Sequence, residues 1–139
     1  MYHVVMAVAK DDEGLAAKVD TIAGLPSATD AVRVTLVHVH EADAVGEEPV
    51  ANQPAVAEAL ELCSEAELQV DTYGLIAETV PEGLVEAIEK LDPDLVCLGG
   101  RRRSPAGKRQ LKPGAQEVIL QSGVPVVIAG ELDHQVPRT

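Results

Sequence analysis

The 139-residue sequence contains no phenylalanine and no tryptophan, and Tyr2 and Tyr73 are its only aromatic residues of the Phe, Tyr and Trp class. Valine, leucine, isoleucine and alanine must therefore fill any hydrophobic core. The overall hydrophobic content of 46% is enough for one domain of ordinary size. The missing rings argue against recognition of single-stranded nucleic acid, because that recognition relies on stacking bases on aromatic side chains.

Cysteines and long apolar runs are also scarce. Cys63 lies in a helical pattern and Cys97 in an apolar strand pattern, so both are expected to be buried thiols and no disulfide is expected. No secretory leader pattern opens the chain, and no apolar run approaches the roughly 20 residues of a membrane span. A cytoplasmic protein without a membrane partner is the expectation.

Positive charge is in short supply. The chain has 11 Lys and Arg residues against 23 Asp and Glu, so its net charge is −12 and its pI is 4.6. A protein with this net charge repels phosphate, so neither a nucleic acid nor an anionic membrane is an expected partner. Acid spread along the whole chain, with few lysines, is typical of proteins from salt-loving organisms, where the Debye length is short. Simple solubility is the alternative explanation.

One segment reverses this charge. Residues 101–112 carry six of the eleven bases and no acid, which leaves a balance of −18 for the rest of the chain. Three interpretations of this basic segment stay open. It can be a solvated loop that pairs with the acidic body, a contact with an acidic partner or second subunit, or a binding site for an anionic ligand. Its bases are Arg101, Arg102, Arg103, Lys108, Arg109 and Lys112.

Five β-rich runs alternate with four helical patterns along the chain. This alternation predicts an α/β domain whose parallel sheet is covered by helices on both faces. In such sheets the ligand crevice lies beyond the carboxyl ends of the strands, where the strand order reverses. If the first and fourth strands are neighbours, Ala9, Val39, Gly99 and Gly100 converge there. The strands are predicted at 3–8, 32–40, 69–77, 95–98 and 124–129, and the helices at 15–23, 55–68, 79–91 and 115–120.

Two other site types are not supported by the sequence. A P-loop needs four residues between its glycines, but six separate Gly100 from Gly107, and Arg109 follows Lys108. His38 and His40 share one face of the second predicted strand, yet no further histidine lies nearby, so no metal site is expected.

Taken together, the ordered segments resemble the universal stress protein family over nearly the whole chain. The resemblance implies a single Rossmann-like domain over residues 1–130, a polar tail over 131–139, and a five-stranded parallel sheet of order 3-2-1-4-5. It also implies a homodimer formed through Val126, Val127, Ile128 and Ala129. The segments that carry it are the opening strand, Val34-Thr-Leu-Val-His-Val39, Pro93-Asp-Leu-Val-Cys-Leu-Gly99, Arg103-Ser-Pro-Ala-Gly-Lys108 and Gly123-Val-Pro-Val-Val-Ile128.

One branch of this family binds ATP through a Gly-x2-Gly-x9-Gly-Ser/Thr motif after the fourth strand and an Asp at the end of the first. Here the first-strand position is Ala9, with Asp11 close by. Counted from Gly99, the remaining motif positions are Arg102, Lys112 and Pro113, and counted from Gly100 they are Arg103, Pro113 and Gly114. Glycines let backbone N–H groups approach phosphate, and proline supplies no N–H group, so the motif is degraded.

The resemblance therefore implies a non-enzymatic stress-response or regulatory protein with weak or no ATP binding. The alternative is a nucleotide-dependent switch or slow ATPase that uses the same crevice. No cofactor is expected, and ATP, AMP or a simple anion is left as the alternative, because cationic side chains can replace backbone donors. The candidate ligand-binding residues are Ala9, Val39, Gly99, Gly100, Arg102, Ser104, Gly107 and Lys108.

Overall fold

The structure of the protein is a computed structural model, which describes residues 1–10, 12–41, 49–99, 101–103, 109–111 and 114–129. For residues 41, 101–103 and 109–111 it describes the backbone alone. The strands are β1 (Tyr2–Ala7), β2 (Val32–Glu41), β3 (Gln69–Ala77), β4 (Leu95–Gly99), β5 (Arg101–Arg103), β6 (Arg109–Leu111) and β7 (Val126–Ala129). The helices are α1 (Leu15–Ala23), α2 (Ala28–Ala31), α3 (Pro54–Glu65), α4 (Val80–Leu91) and α5 (Ala115–Gln121), with a 3-10 helix at Val50–Asn52.

Five of the strands form one parallel sheet of order β3-β2-β1-β4-β7. This is the predicted order 3-2-1-4-5, with β7 as the predicted fifth strand, and the α/β fold class is confirmed. The central strand β1 pairs with β2 on one side, Ala7 opposite Val37, and with β4 on the other, Met6 opposite Cys97. The strand order reverses between β1 and β4, so the crevice expected of such folds lies at their carboxyl ends.

The side chains of successive residues in β1 lie alternately on the two faces of the sheet, as expected along a strand. Val4 and Met6 pack in a cluster with Ile22 of α1 and Val56 of α3. Val5 packs in the other cluster. That second cluster joins the sheet to α4 and α5 through Val37, Leu84, Ile88, Val96 and Val118. Aliphatic side chains fill both layers.

Local sequence explains where the helices begin and end. The Gln53 side chain accepts a hydrogen bond from Val56 N (3.0 Å) before α3, and Thr79 Oγ1 accepts one from Glu82 N (3.3 Å) before α4. Both helices carry a proline in the first turn, where no backbone donor is lost. α4 stops at Asp92, which adopts the left-handed conformation with φ 47°.

The opposite edge of the sheet, at the amino ends of the strands, holds a buried polar contact. His3 Nε2 and Thr35 Oγ1 are 2.7 Å apart, and the backbone N–H of His3 donates to Asp94 Oδ2 at 2.8 Å. Burial, together with the positive charge of Arg33, lowers the pKa of His3 below its ordinary value, although nearby acids oppose this. The contact of His3 with Thr35 is therefore one between uncharged side chains, while the backbone N–H of His3 bonds to the Asp94 carboxyl group.

The basic segment differs from the prediction. It was expected to be a loop, but its two ends form an antiparallel hairpin in which Arg101–Arg103 pairs with Arg109–Leu111, so Arg103 lies opposite Arg109. Five residues that include proline and glycine separate the two strands, which is a hairpin spacing. Two smaller differences are the short helix α2, which was not predicted, and β7, which begins at Val126 where the prediction began at residue 124.

Candidate functional site

A cavity of about 140 Å³ opens at the carboxyl ends of β1, β2 and β4. Its walls combine the sheet with the first turns of α4 and α5, and they are mostly aliphatic. Two charged side chains, Asp12 and Lys18, stand among them. The other lining residues are Ala7, Val8, Ala9, Val39, Val80, Pro81, Leu84, Leu98, Gly99, Gly114, Ala115 and Val118.

Three of the predicted ligand residues meet in this cavity. Ala9 follows β1, Val39 belongs to β2 and Gly99 ends β4, and all three line the same space. Their convergence is the one expected if the first and fourth strands are neighbours. Arg102 lies in β5, directly beyond β4, where the structure describes its backbone. Gly100, Ser104, Gly107 and Lys108 lie outside the described residues, so their assignment stays a prediction.

Two glycines shape the walls. A Cβ atom at Gly83 in α4 would lie 2.5 Å from Val39 Cγ1, so α4 approaches β2 only because residue 83 has no side chain. Gly114, which precedes α5, has φ +87°, and a Cβ atom there would lie 2.6 Å from Pro81 Cγ. Each glycine therefore fixes the position of a residue that lines the cavity.

The polar end of the cavity is a buried ion pair. Asp12 and Lys18 form a salt bridge with side chains that are 1% and 2% exposed, respectively. Lys18 Nζ donates to Asp12 Oδ2 and to the carbonyl oxygen of Ala7 at the end of β1 (2.5 Å). The Asp12 carboxylate also accepts from the backbone N–H groups of Ala9 (3.0 Å) and Gly14 (2.8 Å). One pair thus joins β1, the following loop and the start of α1.

This pair sets the charge state at the site. Burial by itself would raise the pKa of Asp12, but the Lys18 ammonium and the N–H donors of Ala9 and Gly14 outweigh burial and lower that pKa below its ordinary value. The Lys18 side chain also lies against β4, because a Cβ atom at Gly99 would stand 3.4 Å from Lys18 Cε and 3.6 Å from Nζ. The Asp12 carboxylate is therefore kept ionised within the wall of a mostly aliphatic cavity.

Sequence reasoning missed the role of both residues. Asp12 was given no place at the site, and its bond to the N–H of Gly14 lies before α1 and does not cap that helix. Lys18 received no role. A signal was present, because Lys18 follows Leu15 by three residues and precedes Ile22 by four, which places a lysine on the apolar face of α1. A lysine on such a face calls for a buried partner.

One of the two histidines of β2 contacts the backbone that follows β1. His38 is 5% exposed, and its Nδ1–H donates to the carbonyl oxygen of Val8 at 2.7 Å. The rings of His38 and His40 meet edge to face with centroids 4.7 Å apart. Burial and the neighbouring His38 lower the pKa of His40. His38 thus supports the backbone at Val8, which lines the cavity.

The two thiols are inert by position. Cys63 and Cys97 are buried and not joined in a disulfide, and burial raises the pKa of each to about 11. In the part of the chain that the structure describes, no three His, Cys, Asp or Glu side chains group as metal ligands. The helices within the same described part are all too short or too polar to cross a bilayer.

Comparison with known structures gives the same fold. A universal stress protein from Archaeoglobus fulgidus is 21% identical, with a TM-score of 0.75 over 92% of this chain and 98% of that one. A universal stress protein in complex with cAMP is 17% identical, with a TM-score of 0.70 over 93% and 96% of the two chains. An Arabidopsis thaliana family member with AMP bound is 14% identical, with a TM-score of 0.69 over 99% and 97%.

Comparison of the sequence alone identifies a family independently of these structures. No protein with a curated description matches it. The model of the universal stress protein family matches residues 1–130 of the 139-residue chain. The chain therefore belongs to the universal stress protein family.

Proposed function

We propose that the chain is a non-enzymatic regulatory protein that binds a nucleoside monophosphate, with the base in the cavity at the carboxyl ends of β1 and β4. The observation that carries this proposal is the meeting of Ala9, Val39 and Gly99 around one aliphatic cavity at the switch point of the sheet. Support comes from two proteins of the same fold, whose structures hold cAMP and AMP. The likeness to them is in fold, so the ligand assignment is ours.

The size of the cavity favours a ring over a whole nucleotide. Its volume of about 140 Å³ is well below the roughly 300–1,000 Å³ of pockets that enclose a drug-sized ligand. Aliphatic walls suit a flat heterocycle, and Val39 of the sheet and Leu84 of α4 both line the cavity. The sugar and phosphate would then extend past Gly99 toward the hairpin of β5 and β6.

The phosphate side of the site supports one phosphate better than three. The positions where relatives use small residues or a hydroxyl hold Arg102, Lys112 and Pro113 here. Bulky cations and a proline remove the close backbone approach that a triphosphate needs, while keeping positive charge for a single phosphate. ATP is therefore expected to bind more weakly than AMP. Measurable ATP hydrolysis would favour the slow ATPase instead.

The ionisable side chains of the described lining support binding over catalysis. These are Asp12 and Lys18, and each is engaged by the other in a buried pair. A general base has to reach a ligand proton with a pKa near the working pH, whereas the pKa of Asp12 is lowered by its partners. The pair is suited to hold the backbone around the cavity in place, because it bonds to Ala7, Ala9 and Gly14.

Calorimetric titration with AMP and ATP tests the proposal. The blocking variant is Ala9→Phe, because Ala9 is exposed at the cavity and a larger side chain there covers the opening without repacking the core. Ala57→Phe makes the same chemical change on the exposed face of α3 and serves as the control. AMP binding that is lost in Ala9→Phe and kept in Ala57→Phe supports the proposal. If neither the wild type nor Ala57→Phe binds AMP, the proposal is wrong.

We also propose a homodimer formed through the edge strand β7. This strand pairs with β4 alone within the described sheet, and Val126, Val127 and Ile128 remain half-buried, with Leu120 of α5 76% exposed. Val127→Lys should give monomers by light scattering, and Ile76→Lys on the other edge strand should not. A monomeric wild type at high concentration would contradict the dimer.

The basic segment 101–112 is proposed to contact an acidic partner surface, and the anionic body of a second subunit is one such surface. We further propose that the protein works in the cytoplasm of a salt-adapted cell, since its body carries a balance of −18 outside this segment. Screening of that charge predicts a melting temperature that rises from low salt to molar potassium chloride. A melting temperature that is flat or falls with salt would contradict the adaptation.

A further inference from the structure

The cavity-lining residue Ala9 lies between two carbonyl groups that are held from outside its own loop. Ala9 and Val8 both line the cavity, and Ala9 is exposed there. The carbonyl oxygen of Val8 accepts from His38 Nδ1–H of β2 at 2.7 Å. The carbonyl oxygen of Lys10 accepts from Gln53 Nε2 at 3.1 Å, across 43 residues of sequence. The backbone that carries Ala9 is thus held by one side chain of β2 and by one that immediately precedes α3.

Gln53 has a well-defined position of its own, because it links the 3-10 helix to the start of α3. Its backbone N–H donates to Val50 O at 3.1 Å, and its carbonyl oxygen accepts from Ala57 N at 2.9 Å. Its side-chain oxygen accepts from Val56 N at 3.0 Å, which leaves the Nε2 amide group to donate to Lys10 O. The donor is therefore directed at the loop by bonds that do not involve the loop.

The 3-10 helix that precedes Gln53 is itself packed on the sheet. A Cβ atom at Gly74 of β3 would lie 2.9 Å from Val50 Cβ, so Val50 approaches the strand at a place where a side chain would block it. Val50 also packs against the core cluster that contains Val56. The contact between Gln53 and Lys10 thus connects the loop at the cavity with an anchored part of the fold.

We infer that Gln53 is a positioning residue for the cavity, because its amide nitrogen holds the Lys10 carbonyl and thereby fixes the backbone at Ala9. The inference rests on the proposed binding of a nucleoside monophosphate and adds the residue that prepares the site for it. A loop that is already in its binding form does not have to be ordered by the ligand. Without this bond the loop adopts the binding form for a smaller fraction of the time, and the apparent affinity falls by that fraction.

The size of the effect is limited by the strength of one hydrogen bond between uncharged groups at an exposed position. The other bonds that hold this backbone, from His38 to Val8 O and from Ala9 N to Asp12, do not depend on Gln53. Loss of the Gln53 bond should therefore weaken AMP binding by about threefold to fivefold without abolishing it.

Two variants separate the two roles of the Gln53 side chain. Gln53→Thr keeps an oxygen that can cap α3, since threonine is favoured at that position, but its side chain is too short to reach Lys10 O. Gln53→Glu keeps the length and an acceptor for Val56 N, but its carboxylate has no donor. Gln69→Thr and Gln69→Glu make the same changes at the exposed start of β3, opposite Arg33 at the amino ends of the strands, and are the controls.

Calorimetric titration with AMP at constant salt and pH measures the effect on binding. Both Gln53 variants should bind AMP about threefold to fivefold more weakly than the wild type, and both Gln69 variants should match the wild type. Gln53→Thr adds no charge, so its loss of affinity cannot come from repulsion of the phosphate.

Amide hydrogen exchange without ligand distinguishes positioning of the loop from support of α3. In Gln53→Thr the exchange of Ala9 N–H should be about threefold to fivefold faster, while that of Val56 N–H, which lies in the retained cap, should stay as in the wild type. A role in stability alone would accelerate both amides together. Equal acceleration at Ala9 and Val56 therefore overturns the inference.

The inference and the proposed function can fail separately in these experiments. If the wild type binds AMP and both Gln53 variants bind it with the same affinity, the inference is wrong and the proposed function stands. If the wild type does not bind AMP, the proposed function is wrong, and a role of Gln53 in ligand binding is wrong with it. If Gln53→Thr does not fold, by circular dichroism, the exchange and binding of Gln53→Glu decide.

Discussion

Asp12→Asn is expected to destabilise the protein far more than the same change at Asp71. Asp12 and its partner Lys18 are 1% and 2% exposed, whereas Asp71 and Arg33 form a pair at 4.0 Å with side chains 65% and 46% exposed. The chemical change is identical at the two sites. The difference in the free energy of unfolding therefore measures what burial adds to the ion pair.

The magnitudes follow from the two environments. Removing one partner of a buried pair takes away the charge that compensates the other in the interior, which costs about 3–5 kcal/mol. An exposed pair of long side chains contributes about 0–1 kcal/mol. Asn can still accept from Ala9 N or Gly14 N, which moderates the loss at position 12. We therefore expect about 3 kcal/mol for Asp12→Asn and less than about 1 kcal/mol for Asp71→Asn.

Urea unfolding followed by far-ultraviolet circular dichroism measures both values, since the chain has no tryptophan for fluorescence. Lys18→Met and the double variant Asp12→Asn/Lys18→Met complete a double-mutant cycle. The double variant should be more stable than the sum of the single losses predicts, because both charges of the buried pair are removed together. Additive losses, or a cost at Asp12 as small as that at Asp71, would refute the buried pair.

Three further predictions concern packing and pH. Gly83→Ala should lower stability by about 1–2 kcal/mol in urea unfolding, because the new methyl group overlaps Val39 and this outweighs the roughly 1 kcal/mol gained in helix propensity; an unchanged or raised midpoint would contradict that contact. Gly114→Ala should cost at least about 2 kcal/mol, since φ is +87° there, while Gly123→Ala, with open space around it, should cost almost nothing; equal effects would contradict the strain. The lowered pKa of His3 means that the unfolded chain takes up a proton first as the pH falls below about 6.5, so the melting temperature should decline from pH 7 to 5 and decline less in His3→Gln; parallel pH profiles would contradict this.

Most of the fold was predictable because it depends on patterns that the sequence displays directly. Buried parallel strands appear as apolar runs such as that of β1, and the helices between them carry apolar residues at helical spacing, as α4 does. Proline and capping residues near Thr79 mark a helix start that the structure places at Val80. These signals are local, so they survive without knowledge of the tertiary contacts.

The basic hairpin was not predictable in the same way. Its strands, Arg101–Arg103 and Arg109–Leu111, are three residues each and lack the β-branched and aromatic residues that mark strands. Arg103 lies opposite Arg109, and like charges at such a position oppose pairing. The dense positive charge therefore suggested a loop. The five residues between the two strands, which include proline and glycine, are a hairpin spacing and were the weaker signal.

The candidate site, too, was predictable only in part. Ala9, Val39 and Gly99 could be assigned to one place, because the carboxyl ends of neighbouring parallel strands must meet there. The partnership of Asp12 with Lys18 depends on the path of the loop after β1 and on the packing of α1 against β4, and neither is written in a local pattern. A lysine on an apolar helix face was the available hint, but it did not name its partner.

Amide chemical shifts in the presence of AMP test the central claim most directly, because the chain of 14.6 kDa is suited to nuclear magnetic resonance. If AMP binds in the cavity, the amide signals of Ala9, Val39 and Gly99 will shift with increasing AMP, while those of His3 and Asp94 at the opposite edge of the sheet will not. Shifts centred on His3 and Asp94, or none at saturating AMP, would contradict it.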